Sequence, residues 1–210
     1  MKPFSITIQA ITKFEEEIRK AEEKYTVERD FITANYKNPE ERLQALKETY
    51  TEEKEDAKSR CLDAIQLDFN TQRKALHEIT TEAMPADFMV TLEALRANGK
   101  NIGEYEGTAY IEKYKGNFLA LRTLVEMLQG FGKAKGVYVR YPNGIANNMQ
   151  EVEKMLHKLI NTAQVDSMSY ALYMSETGPL HTLSNDAEIF LQKNFIVEGE
   201  EAAMAAGLSN

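Results

Sequence analysis

Apolar residues recur at Ile11, Phe14, Ile18, Ala21, Tyr25 and Ile32, at steps of three, four, three, four and seven. This is the seam of a coiled-coil helix, with Glu28 in its one polar position. The residues between are charged (Glu15, Glu16, Glu17, Arg19, Lys20) and form a solvated back. The pattern stops at Tyr36-Lys37-Asn38-Pro39-Glu40. There Asn38 can cap a new helix, Pro39 suits its first position and Glu41 stands three after the cap. The seam resumes at Leu43, Leu46 and Tyr50, and the spacing continues through Glu53 and Ala57. A four-residue step to Cys61 reads as a stutter, after which Leu62, Ile65, Phe69, Leu76 and Ile79 continue, with Gln72 polar. No glycine precedes Gly99 and no proline lies between Pro39 and Pro85. Residues 1–84 therefore predict two long antiparallel helices, ~45 and ~65 Å at about 1.5 Å per residue. Ser5-Ile6-Thr7-Ile8 alternates like a strand, but Phe4, Ile8 and Ile11 fit a first helical turn, which we favour. Small Ala57, Cys61 and Ala64 should lie opposite Phe14 and Ile18. Ordering a rod of this length costs more conformational entropy than its seam returns. Its ends should therefore dock on the C-terminal half, or hairpins should pack together.

The pattern changes after Met84-Pro85, and residues 85–210 read as a smaller, mainly helical unit. Ala86 to Ala97 is amphipathic through Phe88, Leu92 and Leu95 and stops at Asn98-Gly99. Glu104 to Tyr114 is a helix weakened by Gly107. Asn117 caps the next, which carries Phe118, Leu121, Leu124, Val125 and Leu128 and is broken at Gly130-Phe131-Gly132. Val137 to Tyr141 is strand-like and Pro142-Asn143-Gly144 is a turn signal, so a short loop or hairpin is expected near 131–147. Met149, Val152, Met155, Leu156, Leu159 and Ile160 mark another helix, which Val165 to Tyr173 continue or follow with a new one. Gly178-Pro179 breaks the chain, and Ser184-Asn185-Asp186 can cap a helix through Ile189, Phe190 and Leu191. Phe195 and Ile196 form a last anchor, and Ala202 to Ala206 are weakly apolar. The fold class is all-α: a long antiparallel coiled-coil hairpin followed by a mainly helical unit.

Charge and cysteine usage narrow the function. The chain of 210 residues is acidic, with net charge −8. Residues 1–98 hold 15 basic and 20 acidic residues, and 99–210 hold 10 and 13, so neither half has the basic excess of a duplex-DNA binder. The single cysteine, Cys61, excludes an internal disulfide and fits a reducing compartment. The N-terminus leads into a polar helix rather than an apolar signal core, and no long apolar run predicts a membrane span.

Candidate chemistry is sparse. His77, His157 and His181 lie far apart without metal-ligand spacing, so no metal or other cofactor is expected. Cys61 sits in the seam and reads as a packing residue, and no serine stands in a nucleophile motif. Residues 130–136, GFGKAKG, lack the spacing of a phosphate loop. We therefore read the chain as non-enzymatic. Its candidate partner-binding residues are those of the hairpin seam: Ile18, Tyr25, Tyr50, Leu62 and Phe69. The alternative site lies between Tyr110 and Tyr141. Lys113, Lys115, Lys133, Lys135 and Arg140 interleave there with aromatic rings, including Tyr138 and Tyr141, a pattern that can hold single-stranded nucleic acid by phosphate contact and stacking.

Segment 107–124, GTAYIEKYKGNFLALRTL, resembles a helix-turn-helix segment of small proteins encoded among the head genes of tailed phages. The acidic N-terminal coiled coil is similar to phage scaffolding and minor structural proteins. The resemblance implies a part in capsid assembly or in the virion, with self-association and a capsid protein as partners, and a place in the host cytoplasm or the particle. Scaffolds often end in a basic coat-binding helix, whereas residues 198–210 carry three glutamates and no lysine or arginine. That departure directs the reading from scaffold to the broader structural class. The expected function is a protein-binding structural or assembly protein, oligomeric and without a membrane span. The alternatives are a nucleic-acid-associated accessory protein and a regulatory inhibitor acting through its hairpin.

Overall fold

The computed structural model describes residues 2–162, 171 and 173–199. Its elements are α1 (Ser5–Asn35), α2 (Glu40–Thr80), α3 (Phe88–Asn98), a 3-10 turn (Gly99–Asn101), α4 (Glu104–Tyr114), α5 (Phe118–Gly130), β1 (Val137–Val139), α6 (Pro142–Thr162), α7 (Pro179–Leu191) and β2 (Ile196–Glu198). The fold is all-α, and α1 and α2 form the expected antiparallel hairpin. Among the described residues no helix is long and apolar enough to cross a membrane. Compactness divides the chain into two interleaved units, residues 1–71 with 149–184, and 72–148 with 185–210. The boundary that the sequence suggests, near residue 85, separates consecutive segments instead.

In the first unit the hairpin begins at an unusual cap. Phe4 precedes α1 with φ 59° and ψ 12°, and α1 has no side-chain cap of its own. A left-handed phenylalanine is strained by roughly 1–2 kcal/mol; its ring is held buried, 4.7 Å from that of Phe69. The missing cap comes from the other helix. Buried Asp68 accepts from the Thr7 amide at 2.8 Å and from the Thr7 hydroxyl at 3.0 Å, so an α2 carboxylate meets the positive end of α1. Ser184, expected as a helix cap, is buried inside α7 and donates to the Pro3 carbonyl at 2.6 Å. Met149, Val152, Leu156 and Leu183 are buried in the same unit. C-terminal segments thus belong to the compact unit that holds the hairpin, in line with the docking expected of its ends. At the turn, the Pro39 carbonyl accepts from the Leu43 amide at 2.9 Å. Pro39 rather than Asn38 therefore stands at the cap, and α2 starts at Glu40.

In the second unit α3, α4 and α5 match their sequence patterns. Asn117 caps α5 as expected, accepting from the Ala120 amide at 2.9 Å, and its side-chain amide donates to the Ala83 carbonyl at 2.9 Å. Gly132, at φ 74°, ends α5 and lets the Lys133 amide donate to the Leu128 carbonyl at 2.8 Å. Gly99 lies under Phe131, where a Cβ would stand 2.2 Å from the ring. The strand-like run forms β1, but it closes no local hairpin. It pairs antiparallel with β2, Tyr138 opposite Val197. The supposed turn Pro142-Asn143-Gly144 is the first turn of α6, because proline fits a first helical position as well as a turn. The same ambiguity applies at Gly178-Pro179, where α7 begins. Phe195 is the expected anchor, buried against Phe118 and Phe190. Residues 202–206 and most of 165–173 lie outside the described residues.

Candidate functional site

The seam residues hold the hairpin itself together. Ile18 and Phe69 are buried, and Leu62 is half-buried. Tyr25 and Tyr50 stack across the hairpin with centroids 4.7 Å apart, and the Tyr50 hydroxyl donates to Glu22 at 3.2 Å. Around them Lys24 meets Glu53 at 2.8 Å and Arg60 meets Glu17 at 3.1 Å. These pairs are exposed, so they fix register more than they stabilise. The hydrogen bond that Lys24 donates to Glu53, and then the Glu53 charge, hold the Lys24 ammonium above its ordinary range.

Four apolar side chains that face solvent lie beside the seam; Met89, Val90 and Tyr105 are exposed elsewhere. Val27 is 69% exposed, Phe31 59%, Leu67 64% and Ile6 39%. On α1 they belong to a second run with steps of four and three: Ile6, Ala10, Lys13, Glu17, Lys20, Lys24, Val27, Phe31. Such steps put a run on one flank of a helix. The middle of that flank borders two adjoining depressions of about 350 and 140 Å³, which share Glu17, Ala57 and Arg60. Across from it, α2 contributes Glu53, Asp56, Arg60 and Ala64, and Leu67 follows three residues on. The smaller depression lies where small Ala57, Cys61 and Ala64 face Phe14, so the ring does not fill the space they leave. Cys61 is buried, and burial, with Glu17 second, pushes its thiol up to about 12, which leaves it a packing residue without nucleophilic character. The sequence reading missed this flank because charged residues fill its middle; the steps of four and three carried the signal.

The second candidate stretch is brought together only in part. Lys113 pairs with Asp87, which also accepts from the Tyr114 hydroxyl at 3.1 Å. Chiefly through the Lys113 hydrogen bond, Asp87 is held below its usual range. Lys115 pairs with Glu112 at 2.6 Å. Tyr141 donates to Glu126 at 3.1 Å, beside Arg122 at 2.9 Å; the Arg122 hydrogen bond lowers Glu126, while burial and then Glu126 raise the Tyr141 phenol. Tyr114 and Phe118 are buried. Lys135 is exposed, Lys133, Tyr138 and Arg140 are half-buried, and no ion pair holds any of these three cations among the described residues. The Arg140 Nε is buried without an acceptor there. Among the described residues no group of three or more His, Cys, Asp or Glu side chains could hold a metal ion. The chain matches no family model, no curated protein and no solved structure.

Proposed function

We propose that the chain is a non-enzymatic, protein-binding assembly protein that uses its hairpin as the binding element. The observation that carries this reading is the distal half of the hairpin. From Arg19 to Asp56 no residue is buried, yet Val27, Phe31 and Tyr36 present apolar surface there. Exposed apolar side chains that gather on one element mark an interaction surface more often than an accident of composition. Paired helices offering such anchors suit the docking of a partner helix or groove. The resemblance to tailed-phage head-morphogenesis proteins supplies a biological setting, capsid assembly or a virion accessory role. A photo-crosslinking residue at Phe31, placed in the full chain and activated in cells that encode it, tests the reading. The expected result is a discrete adduct with one structural protein, which competes with unlabelled wild type and not with Val27→Glu. Cross-links that form equally from a control position at Glu93 would overturn it.

A second reading rests on Lys133, Lys135 and Arg140, whose charges no acidic side chain takes up among the described residues. Cations of this kind beside Tyr138 suit a single-stranded nucleic acid. Retention on single-stranded DNA that falls with salt, and is lost on changing the three to Glu, tests it.

A further inference from the structure

We infer that the flank of the hairpin running from Ile6 and Leu67 to Val27 and Phe31 is an antiparallel dimer surface, and that its occupant is the same flank of a second copy of this chain. The inference rests on the proposed role of the hairpin in protein binding and names the partner. Three observations support it.

The first is spacing. Ala10 and Val27, and Ile6 and Phe31, lie symmetrically about the point between Ile18 and Arg19 on α1. A two-fold axis across that midpoint sets Ile6 against Phe31 of a second copy, and Ala10 against its Val27. Apolar ends meet apolar ends, so the surface complements itself, as an isologous interface must. The cross-hairpin pairs Lys24–Glu53 and Glu17–Arg60 fix which part of α2 stands level with that midpoint. It is the turn around Lys58 and Ser59, so the same axis sets Asp56 level with Arg60 and Cys61 of the second copy, and Thr49 and Tyr50 level with its Leu67.

The second is charge. The chain carries −8, but this flank is near neutral, with Lys13, Lys20, Lys24 and Arg60 against Glu17, Glu53 and Asp56. Copies of an acidic protein repel each other least through a near-neutral face. The axis sets Glu17 against Lys20. It also brings Lys13 to Lys24, a like-charged pair whose Lys24 is already matched by Glu53 at 2.8 Å.

The third is size. Ile6 and Phe31 are about 38 Å apart along the helix and two helices are roughly 20 Å wide, which gives roughly 750 Å² on each copy. A stable interface uses about 800 Å² per partner. The tip alone offers far less, so the full flank is needed and a tip-to-tip contact is not enough.

The test combines mass with disulfide trapping on the full chain. Light scattering should give twice the 23.9 kDa chain mass, and Phe31→Asp with Leu67→Asp should return it to the single mass with an unchanged helical circular dichroism spectrum. Both positions are exposed, so folding does not depend on them. In a Cys61→Ala background, Ile6→Cys and Phe31→Cys proteins should each stay uncross-linked alone and form a disulfide dimer when mixed. Cross-linking of Phe31→Cys with itself would show tip-to-tip contact and overturn the proposed register. A wild-type monomer would overturn the dimer while leaving intact any Phe31-dependent adduct with another protein. A dimer of the expected register with no such adduct would uphold this inference and remove the heterologous partner from the proposed function.

Discussion

At the base of the hairpin Phe4, Ile11, Phe14, Ile65 and Phe69 are buried, whereas along its distal half nothing from Arg19 to Asp56 is. Both parts come from one seam of heptad-like spacing, with the four-residue step to Cys61 near their border on α2. The base has further elements of its compact unit to close it, and it adds the Asp68 cap and the Phe4–Phe69 ring contact. The distal half has half-buried seam residues such as Ile32, Leu43 and Leu46, one stacked tyrosine pair, exposed ion pairs and Arg42 lying 4.1 Å over the Tyr36 ring. Stability in a helical rod thus follows what covers the seam, and spacing alone does not set it. The base should behave as part of the cooperative core, and the distal half as a segment that opens at lower free energy.

Removing a base residue is the strongest way to break this contrast. Phe4→Ala empties a fully buried ring site and should cost about 3–5 kcal/mol, read from urea unfolding. Phe4→Gly loses the same ring but relieves the left-handed backbone, so it should be less harmful than a helix-interior glycine would be, coming within about 1 kcal/mol of alanine or better. If glycine proves much worse than alanine, the left-handed cap is not strained. Next comes the cap. Asp68→Ala leaves the Thr7 amide and hydroxyl without their buried acceptor and should cost about 1–3 kcal/mol. Hydrogen exchange should rise first in the opening turns of α1 and leave Tyr25 and Tyr50 unaffected.

Much of the helical layout was legible because its signals are local. Phe88, Leu92 and Leu95 define α3, and Asn117 before Phe118 marks the start of α5. Where one residue type serves two structures, the sequence reads either way. Pro142 and Pro179 start helices although each looked like an interruption. The features that depend on distant pairing were not readable: β2 as the partner of β1, Asp68 as the cap of Thr7 some sixty residues away, and Ser184 turned toward Pro3. A seam predicts which residues meet, and the five seam residues named as partner-binding do meet or lie within the hairpin. It does not show which apolar residues are left over. Val27 and Phe31 emerged only once their exposure was known, because Lys13, Glu17, Lys20 and Lys24 dilute their run.

The smallest expected effect is also the sharpest. Val27 and Phe31 are apolar, yet on the distal half they contribute almost nothing to the fold of one chain. Val27→Ser with Phe31→Ser should change unfolding free energy by no more than about 0.5 kcal/mol under conditions where the chain is monomeric, as for exposed sites generally. The Phe31 ring meets Tyr36 edge-on at 6.4 Å, and losing that exposed contact stays within this margin. Apolar side chains that stabilise nothing within the chain leave their burial free for another surface. A loss of more than about 1 kcal/mol would instead mean that the tip is closed by its own residues, and the distal half would then resemble the base more closely than its exposure suggests.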